Sequence, residues 1–237
     1  MGPFPGGNWK AGHYLLLLLG LYALVVTLGF ALRGRQLSAL RAEVGRAKEA
    51  LFWAPEGYRL PIPGACLPSR PENLPNAPRP YRKGVNPGFI FVQGDACVPV
   101  LRGTGVVAAA TGEVVKAETA HTPLSPEEKK ALLDRVKGGA TPEDMDLIRG
   151  LEVWIRHKDG RISVYAHLES VYPGLKVGMR LRRGDPIGYV GQTGLAPSAR
   201  LLFELWEGRP DEGRFFGQGL GKEALLQSAR ALFAWPK

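Results

Sequence analysis

The sequence predicts a mainly β domain with a helical-hairpin insertion, preceded by one membrane-length apolar helix and a short amphipathic helix. Three observations carry this. Residues 151–206 alternate apolar and polar side chains and are broken at short intervals by glycine. Residues 14–32 hold no charge. Between 121 and 150, Ser125-Pro126-Glu127-Glu128 and Thr141-Pro142-Glu143-Asp144 each place a capping hydroxyl, a proline and acids in the order that starts a helix.

Within 151–206, Leu151, Val153 and Ile155 alternate, as do Ile162, Val164, Ala166 and Leu168, and Asp159-Gly160 between them supplies the positive φ of a tight turn. An antiparallel hairpin follows. The glycines at 178, 184, 188, 191 and 194 mark turns or bulges between further short strands.

The chain has 237 residues and is 45% apolar, enough for one ordinary domain with appendages. Segment 14–32 covers about 28 Å as a helix, close to the hydrocarbon thickness of a bilayer. It follows an N-terminal tail, 1–13, and is bracketed by Lys10 and by Arg33 and Arg35. Ala31-Leu32-Arg33-Gly34 is a poor cleavage site, which favours a retained single-span anchor over a removed signal. Lys10 alone precedes the span, whereas Arg33, Arg35, Arg41, Arg46 and Lys48 follow it, so charge by itself would keep the C-terminal bulk in the cytoplasm.

Across 33–54, Leu37, Leu40, Val44, Ala47 and Leu51 step by three and four. Two heptads suit either a homodimer through 36–52 or an amphipathic helix packed on its own domain or the bilayer. Prolines then crowd 55–80, a linker that must run extended over a surface. Cys66 and Cys97 flank the first expected strand. They are readable as one disulfide outside the cytosol or as two thiols. A net charge of +9 and a pI near 9.7 suit an anionic wall or lipid surface, and no basic motif interleaved with aromatics points to nucleic acid. In the tail, 209–237, Leu225, Leu226, Ala229, Leu232 and Phe233 form one helical face.

Tyr165-Ala166-His167-Leu168, Val177-Gly178, the run from Gly184 through Gly188, Gly191 and Thr193 to Gly194, and Arg200-Leu201-Leu202-Phe203-Glu204 occur in that order. Upstream, Arg82-Lys83-Gly84-Val85-Asn86-Pro87-Gly88-Phe89-Ile90 precedes a small-residue run over 105–114. This order resembles the lysostaphin/LytM-type zinc endopeptidases of peptidoglycan cross-bridges, with the duplicated hybrid motif fold, over roughly 61–207. The resemblance implies a LytM-like antiparallel β-sandwich or barrel at 81–208, interrupted by an insertion at 121–150. It also implies an entry strand near Leu60-Pro61-Ile62-Pro63-Gly64 that lies on the domain.

On the matched positions the three zinc ligands fall on Asn86, Ile90 and Leu202, and the two histidines that serve the attacking water fall on His167 and Arg200. Ile90 and Leu202 have no lone pair to offer a metal. The resemblance therefore implies a degenerate member with no catalytic residue, metal or other cofactor, His167 and Arg200 being vestiges. Asn86, Ile90, His167, Arg200, Leu202 and Glu204 would line a binding groove. The implied role is a membrane-anchored, extracytoplasmic domain that binds peptidoglycan or a wall hydrolase or division partner. An active zinc endopeptidase and a purely structural interaction module are the rivals. The insertion is readable as ordinary loop decoration, as a cap on the groove or as a docking surface.

Overall fold

A computed structural model describes residues 11–53, 57–79 and 84–233, in two units, Met1–Phe52 and Trp53–Lys237. Lys10, Ala54, Pro55, Pro80, Arg82 and Lys83, named above, lie outside the described residues.

In the first unit, the stretches read separately as 14–32 and 33–54 form one continuous helix, α1 (Ala11–Phe52), of 42 residues. No proline interrupts the junction. Gly34 costs a helix only about 1 kcal/mol relative to alanine, too little to end it. The helix is long and apolar enough to cross a membrane. Leu37, Leu40, Val44 and Leu51 are exposed along its second half.

In the second unit the β elements are β1 (Gly88–Val92), β2 (Gly105–Val107), β3 (Gly112–Ala117), β4 (Val153–His157), β5 (Arg161–Ala166), β6 (Leu168–Val171), β7 (Arg180–Leu181), β8 (Pro186–Val190), β9 (Arg200–Glu207) and β10 (Arg214–Phe215). A seven-stranded sheet runs β1-β9-β5-β4-β3-β7, with β10 also on β9, and β2-β8-β6 form a second sheet. Every pairing between these strands is antiparallel. The expected hairpin is β4–β5, with Gly160 at φ +83° in its turn.

The two-residue period of a strand sorts the side chains. Phe89 and Phe91, Leu201, Phe203 and Leu205, and Val153 and Ile155 share the main core with Val106, Ile187 and Val190 of the second sheet. Ile90, Leu202, Trp206, Val164 and Ala166 belong to a separate cluster, with Phe215. This is the outer face of the large sheet, and it carries the site.

The compact unit extends beyond 81–208 on both sides. Tyr58, Ile62 and Leu74 from the proline-rich segment are buried in the main core, as are Leu225 and Ala229 of α4 (Lys222–Phe233). The Leu60–Gly64 run lies on the domain, but it is not a strand of either sheet. Its prolines remove ladder donors, leaving single bonds such as Val107 N–H to the Pro61 carbonyl. Cys66 and Cys97 form a disulfide with their Cα atoms 5.4 Å apart.

The insertion folds as α2 (Pro126–Arg135) and α3 (Pro142–Arg149), both opened by complete capping boxes from Ser125 with Glu128 and Thr141 with Asp144. Leu132, Val136, Met145 and Ile148 form its own small core, with Leu195 from the β8–β9 loop packed against it. Gly150, at φ +68°, ends α3 against Gly194, at φ +67°. A Cβ on Gly194 would sit 2.3 Å from the Ile148 carbonyl oxygen, and one on Gly150 would sit 2.5 Å from the Gly194 nitrogen. Only hydrogen fits between these backbones.

Gly194→Ala should therefore lower stability by about 2–4 kcal/mol through clash and left-handed strain, read as the shift in denaturant midpoint of the detergent-solubilised chain. Reduction of Cys66–Cys97, which spans a sequence separation of 31, should cost roughly 3–4 kcal/mol on the chain-entropy account, measured the same way with and without dithiothreitol.

Candidate ligand groove

The outer face of the large sheet carries a row set by strand register. Ile90 on β1 is directly opposite Leu202 on β9, and Leu202 is directly opposite Ala166 on β5. Three apolar side chains thus stand shoulder to shoulder where two zinc-ligand positions were mapped. Ile90 and Leu202 are 6% and 7% exposed, so most of each side chain is packed against its neighbours.

The chain leaves β5 at His167, which takes the left-handed conformation at φ +64°, rare for a residue with a side chain. Its backbone N–H donates to the Arg149 carbonyl at 2.9 Å, so the end of α3 holds the kink in place. Nδ1 lies 3.0 Å from the Thr193 carbonyl, an acceptor only, which makes Nδ1 the protonated nitrogen and leaves the lone pair on Nε2. Burial pushes the imidazole down to about 4. The Thr193 bond opposes this, and the charge on Arg200 pushes the same way as burial. His167 is neutral at pH 7.

Ile90, Leu202, His167, Asn86 and Arg200 line one groove of roughly 650 Å³. Its further walls come from 70–79 and from the 195–199 loop. Asn86 is 2% exposed, and its amide nitrogen donates to the Leu74 and Gly88 carbonyls at 2.9 and 2.6 Å. Its side chain therefore fastens the groove wall, with those donors already committed to backbone. Arg200 is steered by Ser198, with Nε 3.2 Å from its carbonyl and Nη2 2.8 Å from its hydroxyl.

Glu204, expected among the groove residues, is not one of them. It is fully buried, with Oε2 accepting from Arg149 Nη2 at 2.8 Å and from Trp206 Nε1 at 2.7 Å. Arg149 is itself fully buried and also reaches Asp211 through two bonds of 2.8 and 2.9 Å. Among the described residues its Nε, 3.6 Å from Glu152, has no hydrogen-bond partner. Burial opposes the guanidinium charge, but Glu204 and Glu152 outweigh it and keep Arg149 protonated. Glu152 in turn takes Lys116 and the Trp154 indole, each at 2.7 Å. The insertion is thus tied beside the groove by its last helical residue, and none of the residues lining the groove comes from 121–150.

Neither Arg149 nor a second buried polar chain was evident from pattern. His157, at the end of β4, is buried with Nδ1 3.0 Å from the Thr111 carbonyl and Nε2 2.8 Å from Ser163 Oγ. Ser163 Oγ is 3.0 Å from the Tyr165 hydroxyl, which accepts from Ala109 N–H at 2.8 Å. Burial lowers the basicity of His157 and pushes Tyr165 up to about 12. These groups face the main core, away from the groove.

The metal that the resemblance implies is zinc, and the residues present do not fit it. Two of the three mapped positions are hydrocarbon, and the Asn86 amide is already engaged with backbone. Among the described residues, no group of three or more His, Cys, Asp or Glu side chains is placed to hold a metal ion.

Arg149→Ala should cost about 3–5 kcal/mol, because it strands the Glu204 carboxylate in the interior; chemical denaturation at pH 7 measures it. His167 gives a pH signature. Its folded value, about 4, lies below the reference 6.5, so the unfolded chain binds more protons between them and stability is lost as pH falls from about 6.5 to about 4. At about 1.4 kcal/mol per unit, the advantage of wild type over His167→Gln should narrow by up to about 3 kcal/mol across that window.

Residues 136–213 match the model of Peptidase family M23. The match takes in Arg149, His167, Arg200, Leu202 and Glu204 and begins after Asn86 and Ile90. Among solved structures, the chain is similar to the catalytic domain of the antimicrobial peptidase lysostaphin from Staphylococcus simulans. That likeness has 20% identity and a TM-score of 0.40, covering 72% of this chain and 89% of that one. Against the antimicrobial peptidase lysostaphin from the same organism the values are 19%, 0.43, 74% and 56%. For a zinc containing peptidase from Vibrio cholerae they are 17%, 0.39, 63% and 36%. The chain thus spans little more than half of that lysostaphin chain and about a third of the Vibrio protein. No curated protein matches. Over residues 136–213, then, this chain is similar to Peptidase family M23, in line with the lysostaphin/LytM-type resemblance of its motifs.

Proposed function

We propose that this protein works by binding and does not hydrolyse: a membrane-anchored, extracytoplasmic domain whose groove holds a peptide strand of peptidoglycan. The observation that supports the reading is the cross-strand row Ile90–Leu202–Ala166, which fills the mapped metal positions with packed hydrocarbon while the groove beside it stays open. Without an activated water His167 has nothing to deprotonate. Neutral, it offers an Nε2 lone pair to a ligand N–H instead. A wall hydrolase or division partner in the same groove is the second occupant the reading admits.

The disulfide favours the extracytoplasmic side, since such bonds persist in oxidising compartments, although the Lys/Arg count around 14–32 favours the other. Full-length protein in bilayer discs should sediment with purified wall sacculi and release no soluble wall fragments. Elemental analysis of the same sample should give far less than one zinc per chain. Near-stoichiometric zinc accompanied by wall digestion would establish the endopeptidase instead. Retention unchanged in His167→Ala and Arg200→Ala would move the function off the groove to a structural interaction surface.

The second half of α1 is proposed as a parallel dimer seam through 36–52. With Leu37, Val44 and Leu51 at a and Leu40 and Ala47 at d, Glu43 falls at g and Lys48 at the e position it meets on a second copy. Glu43→Lys or Lys48→Glu alone should reduce energy transfer between labelled copies in vesicles, and the double exchange should restore it. A signal indifferent to all three variants would remove the seam.

A further inference from the structure

We infer that the groove selects a carboxylate-bearing peptide, and that Arg70 and Arg79 are its specificity-determining residues together with Arg200; this rests on the groove-binding function proposed above. The three arginines line the groove, where Glu72 is the only acidic side chain among the described lining residues. Asp95, behind the same wall, is already saturated. Its oxygens accept from Ser69 N–H and Oγ, from Arg70 N–H and from Asn73 Nδ2, at 2.8–3.2 Å.

What bonds the arginine heads matters more than their number. Arg70 Nη2 donates to the Gly94 carbonyl at 3.3 Å, and Arg79 donates to the Pro78 and Glu72 backbone carbonyls, each at 2.8 Å. These acceptors are neutral. They aim the Arg70 and Arg79 guanidiniums without cancelling their charge, and each of these two heads, with five N–H donors, keeps some for a ligand. A planar carboxylate is the partner that a guanidinium fork meets with two parallel bonds.

The groove floor chooses among anions. Ile90, Val92, Leu195, Ala196 and Leu202 add short apolar surface beside the cations. A peptide with small aliphatic side chains and a free carboxylate uses both features, whereas a glycerol-phosphate polymer has no group for the apolar strip. His167 supplies an acceptor, on Nε2, for a peptide N–H.

The test uses full-length protein in bilayer discs and three probes: acetyl-Lys-D-Ala-D-Ala as the free acid, the same peptide as its C-terminal amide, and a poly(glycerol phosphate). The acid should bind at least about 10-fold more tightly than the amide, the scale of one charge-assisted pair. Arg70→Gln and Arg79→Gln should each erode that preference severalfold, and Arg70→Lys should restore part of it. Circular dichroism confirms that these variants stay folded. Equal binding of acid and amide overturns the carboxylate preference while leaving groove binding intact. Arginine-dependent binding of the phosphate polymer in place of the acid overturns the peptide assignment. Binding of none of the three overturns both this inference and the function it rests on.

Discussion

Strand β9 is the constraint on which the rest of this structure depends. It is held by β1 and β10 along one edge and β5 along the other, so its two-residue period must satisfy two environments at once. Leu201, Phe203 and Leu205 enter the main core. Arg200, Leu202, Glu204 and Trp206 go to the outer face, and each of these meets a different need. Leu202 completes the apolar row, Arg200 borders the groove, and Glu204 and Trp206 lie under the insertion's anchor. A slip of one residue would exchange all eight positions between core and outer face, which no compensating contact could absorb.

The outer face is stabilised in two ways that do not substitute for each other. The row Ile90–Leu202–Ala166 is held by close cross-strand packing of hydrocarbon, which tolerates neither water nor charge. A few residues away, Arg149 with Glu204, Asp211 and Glu152 is held by charge pairing in an interior that penalises every member left alone. The first arrangement shuts the mapped metal positions. The second fixes α3, whose last carbonyl receives the His167 N–H and so sets the direction of the ring.

Much of this was legible in the chain because it rests on local chemistry. Asp159-Gly160 dictates the β4–β5 turn, Ser125 and Thr141 with their acids dictate where α2 and α3 begin, and the spacing of Leu225 and Ala229 dictates the face that α4 buries. Residues 90, 167, 200 and 202 were located by motif order, and the groove brings them together. What was not legible depends on partners distant in sequence. Arg149 looks like a cation at a helix C-terminus, ordinarily solvated, and only Glu204 and Asp211, 55 and 62 residues on, make its burial tolerable. Glu204 was misplaced for the same reason. Its alternation with Leu202 gave the correct face, but nothing nearby signalled that a helix would cover it. Inside α1 composition changes at Arg33 while helix propensity does not, so the two segments read from composition run on as one backbone helix.

The electrostatics of the groove follow from these two arrangements. His167 lies within the field of two arginines, Arg200 and Arg149, and of Glu204, with burial the strongest influence on it, so the ring cannot carry a proton at neutral pH. Protonated, the ring would add a further donor to the pocket in place of an acceptor. Because the ring stays neutral with its proton fixed on Nδ1, the groove presents an acceptor at His167 beside guanidinium donors at Arg70, Arg79 and Arg200. An extended peptide presents the matching set, an N–H to give and carboxylate or carbonyl oxygens to receive, whereas a simple anion matches only half of it. On the proposed function, burial, which suppresses proton uptake by His167, and the Thr193 bond, which fixes the remaining proton on Nδ1, together let the groove distinguish a peptide from a simple anion.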